Sequence, residues 1–243
     1  MSAQPRVLCV VNSAGSGPRR MTPWLEDAGV EVVVVLGEEG LPADLAGFDG
    51  LVLLGGGLMP NDFERAPWLH DERRLTLEAI ALDLPTLGIC LGAQVIADVA
   101  GGEVRAQYGP KERGSTDIYL SDAGRGDPVL GGFGDGAPMI ENHEDMITRL
   151  PESAVLLASS GAVENQAFVI GAHVRGVQFH PEVDAAALER WDDAALRGEG
   201  YDIAELRAAA EAVDDVNERA SRGVVDAFAA EVRERALATR GGR

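Results

Sequence analysis

Apolar positions in the first half of the chain fall in short, nearly unbroken runs: "RVLCVV" at 6–11, "VEVVVVL" at 30–36 and "GLVLLGG" at 50–56. Such β-branched runs, with little polar alternation, predict strands buried on both faces of a parallel sheet. Between and after them the period lengthens. "MTPWLEDAG" reads as a helix, and in "PWLHDERRLTLEAIAL" Leu69, Arg73, Leu77 and Ile80 recur at helical spacing with polar residues opposite. The order β, α, β, β, α, β, α is that of a doubly wound, mostly parallel α/β sheet flanked by helices. From Gly102 to Arg149 the sequence is glycine-rich, and the shorter candidates "TDIYL" and "APMIE" suit a small antiparallel insertion or edge. Strand character returns in "AVLLAS", "AFVI" and "RGVQF".

After "HPEVD" the composition turns to Ala, Glu, Asp and Arg, and from Ile203 onward Leu206, Val213, Val216, Val224 and Phe228 recur at near-helical intervals. The division expected from this change is an α/β domain over 1–183 and C-terminal helices over 184–243. Those helices read as an amphipathic cover docked on the domain, with a partner-binding helix as the alternative. No internal repeat is present.

A chain of 243 residues that is 46% hydrophobic has ample material for a core. Its formal net charge of -19 repels phosphate backbones and anionic membranes, so nucleic acid and lipid are not expected partners. The opening "MSAQPRVLCVVNSAG" has too short an apolar run for a signal peptide, and no later run spans a bilayer, so the expectation is a cytoplasmic protein. Two cysteines without regular spacing make no disulfide framework and point to free thiols.

One of those thiols has a particular setting. In "TLGICLGAQ", a strand ending at Ile89 and a helix starting at Leu91 leave Cys90 alone at a sharp turn between glycines. The pattern is a G-x-S-x-G nucleophile elbow with cysteine for serine, at the carboxyl edge of the sheet where open α/β folds place ligands. The N-terminus of the following helix favours thiolate over thiol. The bland alternative is strand-to-helix punctuation around a buried cysteine, which is the reading for Cys9 inside "VLCVV".

A thiolate needs a base, and the four histidines are His70, His143, His173 and His180. His180 follows a buried-type strand in "GVQFHPEV", with Glu182 two residues on and the stiff Pro181 between them. The carboxylate can then orient the imidazole, which completes a Cys, His, acid set of Cys90, His180 and Glu182. A metal site of His180, Glu182 and His143 has no supporting ligand spacing, and no metal or cofactor is expected. In "LLGGGLMPND" the strand breaks into Gly55, Gly56 and Gly57, whose backbone N–H groups, with that of Leu91, would make an oxyanion hole. Taken alone, the glycines are an ordinary loop.

"GICLGAQ", "QFHPE" and "GGGLMPND...APWL" together resemble the class I (triad) glutamine amidotransferases. Within that family the likeness is to stand-alone members similar to the amidotransferase part of GMP synthase, and it runs from about Arg6 to Val183. The resemblance implies a flavodoxin-like sheet, with Cys90 attacking the side-chain amide of glutamine, His180 shuttling protons and Glu182 orienting it. Ammonia would leave ahead of a γ-glutamyl thioester that water cleaves. The resemblance also implies a substrate-holding role for Gln94, one turn beyond the nucleophile. "NHED", with His143, Glu144 and Asp145, falls where the family has a His-Gly-Asp stretch near the substrate's α-amino and α-carboxylate groups, and here Glu144 replaces the glycine. "NQAF" matches as scaffold, and "KERG" around Glu112 corresponds loosely to a segment lining the site.

Three functions fit this reading. The first is a glutaminase that supplies ammonia to a separate synthetase, because no ATP-binding signature is present in the sequence. The second is a hydrolase of γ-glutamyl amides or peptides using the same triad, for which Glu144 leaves room by offering a carboxylate to a cationic leaving group. The third is a catalytically silent regulatory protein, against which the intact Cys, His and Glu set argues.

Overall fold

A computed structural model describes residues 4–241. In chain order the strands are β1 (Arg6–Val11), β2 (Glu31–Leu36), β3 (Gly50–Leu53), β4 (Thr86–Ile89), β5 (Glu103–Arg105), β6 (Glu112–Leu120), β7 (Gly136–His143), β8 (Met146–Arg149), β9 (Ala154–Ser160), β10 (Ala167–Ile170) and β11 (Val174–Val177). The helices are α1 (Met21–Asp27), α2 (Leu69–Leu82), α3 (Leu91–Val99), α4 (Asp122–Gly126), α5 (Asp193–Gly198), α6 (Ile203–Glu211) and α7 (Asp214–Gly241).

Nine strands form one sheet in the order β2-β1-β3-β4-β11-β10-β9-β6-β7, and β5 pairs with β8 in a separate ribbon. The pairs from β2 through β11 are parallel and those from β11 through β7 antiparallel. The doubly wound sheet is thus the one that the run order predicts, with the glycine-rich stretch forming its antiparallel edge. Because side chains alternate along a strand, Val7, Cys9 and Val11 of β1 face the layer holding α1 and α7, whereas Leu8 and Val10 face α2 and α3. The resulting core has two faces, each closed by helices. Among the described residues no helix is long and apolar enough to cross a membrane.

Two expectations from periodicity need correction. β2 is not buried on both faces: it is the edge strand, and Val34 is 48% exposed. An unbroken valine run carries no sign of where its strand sits in the sheet. In α2 the buried row is Leu69, Glu72, Leu75, Thr76 and Ala79, while Leu77 is exposed and Arg73 pairs with Asp98. Two overlapping helical rows carried apolar residues, and the row of Leu75 and Ala79 is the one that packs into the core with Ala93 and Ile96 of α3.

The chain beyond Val183 wraps back over the sheet. A short 3-10 turn, Ala185–Arg190, and α6 pack together against Ile140 of β7. Along α7 the buried residues Asn217, Ser221, Val224, Val225, Phe228, Ala229, Val232 and Ala236 form one stripe. That stripe covers the same layer as α1.

Candidate active site

Cys90 is the single residue between β4 and α3, and its backbone lies at φ 52°, ψ -107°. Holding a side-chain-bearing residue there costs about 1–3 kcal/mol and requires the surroundings to enforce it. They do so by close packing. A Cβ on Gly88 would lie 2.7 Å from the Gly92 backbone, and one on Gly92 would lie 2.2 Å from the Leu53 carbonyl oxygen. These two glycines let α3 rise directly off β3 and β4, while the Cys90 amide stays tied to the Val177 carbonyl at 2.8 Å. The thiol is presented at the carboxyl edge of the parallel strands, above the first turn of α3.

The neighbouring strand brings a histidine to the thiol. Just past β11, the His180 amide donates to the Ile140 carbonyl at 2.9 Å, which fixes the turn against β7. His180 Nδ1 lies 2.7 Å from Glu182 Oε1; a carboxylate only accepts, so Nδ1 carries the proton and Nε2 is left free for chemistry. Burial opposes charge on this ring, but the Glu182 carboxylate and the Cys90 side chain within hydrogen-bonding reach outweigh it, holding His180 well above its ordinary value. Between His180 and Glu182, the Pro181 carbonyl accepts from Arg20 Nε at 2.9 Å. The same guanidinium reaches Asn217 Oδ1 at 2.6 Å and Ser221 Oγ at 2.9 Å on α7. The other cysteine has a contrasting place: Cys9 is buried inside β1, and burial, helped by the Glu182 charge, pushes its thiol up to about 12.

Two cavities meet at Cys90. The larger, about 410 Å³, opens past Ser13, Arg19, His180 and Trp191; the smaller, about 160 Å³, is lined by Gln94, Arg113, His143, Glu144 and Asp145. Gly56, Gly57 and Asn142 border both. Gly55 makes the closest approach, since a Cβ there would stand 3.1 Å from His180 Cε1 and 3.9 Å from Cys90 Sγ. Gly56 is pressed against Asn12 and the Leu91 side chain, and Leu91 supplies the first amide of α3, which has no intrahelical acceptor.

The smaller cavity rests on a buried polar network. Gln94 Nε2 donates to the Asp145 carbonyl at 3.2 Å and to Gln178 Oε1 at 3.3 Å, and Gln178 Nε2 lies 3.4 Å from Cys90 Sγ. His143 has both ring nitrogens engaged, Nδ1 with the Asp145 carbonyl at 3.2 Å and Nε2 with Glu112 Oε2 at 2.9 Å. Glu112 also accepts from Ser160 Oγ at 2.6 Å and Gln166 Nε2 at 2.5 Å. Glu141 completes the group, fully buried, and with Glu112 and His143 it forms the one set of potential metal ligands among the described residues. His180 and Glu182 are therefore paired with each other, and His143 keeps different company. Glu144 is held by Lys111 at 2.7 Å and Gln107 at 3.3 Å, and the Lys111 ammonium draws its carboxyl below the usual range. Its charge is thus already paired at the rim.

The sequence pointed to the triad candidates but assigned no role to Gln178, Arg20 or Glu141. Gln178 stood within the quoted "QFHPE", as Arg113 did within "KERG" and Gln166 within "NQAF", whereas Arg20 and Glu141 carry no local pattern.

A sequence profile of the glutamine amidotransferase class-I family matches residues 15–190. The chain is 35% identical over 161 residues to a glutamine-hydrolyzing GMP synthase subunit from Sulfolobus acidocaldarius, covering 65% of this chain and 80% of that protein. It is 32% identical over 189 residues to the glutamine amidotransferase-like protein YfeJ of Salmonella typhimurium, covering 76% and 78%. A glutamine amidotransferase from Thermotoga maritima superposes with a TM-score of 0.83 at 27% identity, over 93% of this chain and 99% of that one. With a cysteine strained at a strand-to-helix elbow, a carboxylate-bound histidine facing it, and these likenesses spanning most of its length, the chain belongs to the class-I glutamine amidotransferases.

Proposed function

We propose that the protein is a glutaminase in which Cys90, His180 and Glu182 act as a triad and the ammonia released serves a separate synthetase. The observation that carries the reading is the His180–Glu182 contact beside the strained Cys90, at the junction of a small polar cavity and a larger open one. Glutamine enters the smaller cavity with its α-groups toward Arg113, Glu144 and Asp145. With the thiol proton already passed to His180 Nε2, the Cys90 thiolate attacks the amide carbon, and the backbone N–H groups of Gly56, Gly57 and Leu91 receive the oxyanion. His180 returns the proton to the departing nitrogen. Ammonia leaves, a γ-glutamyl thioester remains, and water activated by the same imidazole releases glutamate. Glu182 holds the ring in its working tautomer and stabilises the imidazolium. The synthetase partner is suggested by the relatives named as glutamine-hydrolyzing subunits of GMP synthase.

A second reading, hydrolysis of larger γ-glutamyl amides, is favoured by the volume of about 410 Å³ on the leaving-group side of Cys90. One experiment separates the two. Purified protein is incubated with glutamine and with γ-glutamyl peptides and amines, while ammonia, glutamate and free amine are quantified. Equimolar ammonia and glutamate from glutamine, stimulated by an added synthetase, is the expected result; faster release of larger amines without a partner selects the second reading. Cys90→Ala should abolish turnover of either substrate class, and Cys9→Ser should leave it largely intact. Equal losses from both would remove the assignment of Cys90.

A further inference from the structure

We infer that Gln178 is a catalytic residue: its side-chain N–H donates to Cys90 Sγ and stabilises the thiolate, with the amide's orientation locked by Gln94 and the Asp145 carbonyl. The inference rests on the reading of Cys90 as nucleophile and deepens it.

The argument begins from a group whose role is fixed. A backbone carbonyl only accepts, so the Gln94 atom lying 3.2 Å from the Asp145 oxygen is the amide nitrogen. That nitrogen is also 3.3 Å from the Gln178 side chain, which must therefore present its oxygen there. The remaining end of the Gln178 amide, the NH₂, then faces Sγ at 3.4 Å. Turning the Gln178 amide over would set two N–H groups against each other at Gln94 and aim a carbonyl oxygen at an anionic sulfur. Both contacts would be repulsive, so the order of donors is determined along the whole relay.

The surroundings keep the relay in place. Gln94 and Gln178 are each at most 2% exposed, and the backbone N–H of Gln178 donates to the Gln166 carbonyl at 2.8 Å. Low exposure strengthens a hydrogen bond to a charged acceptor and removes competing water. His180 faces the same sulfur from the turn after β11 with Glu182 bound to its Nδ1, Glu141 of β7 lies within electrostatic reach of Cys90, and Arg113, His143, Glu144 and Asp145 stand around the smaller cavity. Of these, His180 must release and regain protons during turnover. Gln178 is the neutral donor that stays on sulfur throughout, which separates its task from that of the base.

The test uses full-length protein and reads Cys90 alkylation by iodoacetamide against pH, followed by peptide mass spectrometry with the buried Cys9 as the unreactive control. Two variants are compared with the wild type. Gln178→Met removes the donor, and Gln178→Glu keeps the shape and the bond to Gln94 while turning an acceptor toward sulfur. The midpoint of the alkylation profile should rise by about one pH unit in Gln178→Met, the size expected for a lost hydrogen bond to a charged group. It should rise further in Gln178→Glu, and kcat for glutamine should fall at least tenfold in both with a smaller change in KM. Unchanged midpoints in the variants that fold, with Cys90 still alkylated, overturn the inference. A wild-type Cys90 that reacts with neither iodoacetamide nor a glutamine-like diazo-ketone overturns the nucleophile assignment itself.

Discussion

Glu141 is a fully buried carboxyl group whose oxygens accept no hydrogen bond within normal reach, and His143 Nε2 stands 3.7 Å from Oε2. A proton on Glu141 removes the cost of burying its charge there. The pull in that direction comes first from burial, then from the Glu112 charge, which together hold this carboxyl well above its ordinary value. Glu72, buried beside Asn12, is pushed the same way by burial, to about 7. For both groups the folded protein retains a proton that the unfolded chain has lost, so stability falls as pH rises from the ordinary carboxylate range toward each raised value. Each pH unit inside such a window costs about 1.4 kcal/mol per group. His180, also raised, acts with the same sign. Thermal melts should therefore give a higher melting temperature at pH 5.5 than at pH 8. Glu141→Gln, neutral at every pH, should melt a few degrees above the wild type at pH 8 and close to it near pH 4. A displacement independent of pH would show that Glu141 titrates like an exposed carboxyl.

At the scale of elements, the elbow is a crossing of three backbones, and its tolerance is set by two missing side chains. Gly88→Ala should lower kcat by at least tenfold and cost about 1–3 kcal/mol, because its methyl would meet the backbone of Gly92 and lift α3 from the sheet. Urea titration with glutaminase assays on one preparation gives both numbers. The second element-level lever is the His-Pro-Glu turn. Arg20→Met, which leaves the Pro181 carbonyl without its donor, should reduce kcat more than it raises KM. A loss confined to KM would place Arg20 outside the catalytic geometry. How these elements arise was legible to different depths. A bend flanked by glycines between two strong local patterns carries its own signature, so the Cys90 elbow and the strand preceding His180 stood out in the sequence. The floor beneath them was marked only by resemblance, in "KERG" around Glu112 and "NQAF" with Gln166, and its assembly was hidden, since Glu112, Glu141 and Gln166 come from β6, β7 and the approach to β10, and only sheet registry brings them together. The exposed face of β2 and the choice between two rows of α2 were hidden for a related reason: both are decided by neighbours distant in sequence.

Over the whole molecule, the helix that closes the chain is fastened by charge as well as by its apolar stripe. Arg175 of β11, 1% exposed, binds Asp127 at 3.0 Å and Glu231 of α7 at 2.8 Å. Removing one member of a buried ion group strands the others, and Arg175→Met should destabilise the fold by about 3–5 kcal/mol in chemical denaturation. A change below about 1 kcal/mol would mean that water reaches the two carboxylates. The composition break near Val183 suggests a seam, yet Arg20 links the Pro181 carbonyl to Asn217 and Ser221, so the last helix and the His-Pro-Glu turn share one guanidinium. A joint of this kind has a thermodynamic signature. Segments on either side of it should open together as one cooperative unit, with the amides of α7 exchanging hydrogen for deuterium as slowly as those of β1. Heat inactivation should then track the loss of α7 protection step for step. A population with its final helix frayed and its turnover intact would mean that the seam is real and the guanidinium merely rests across it.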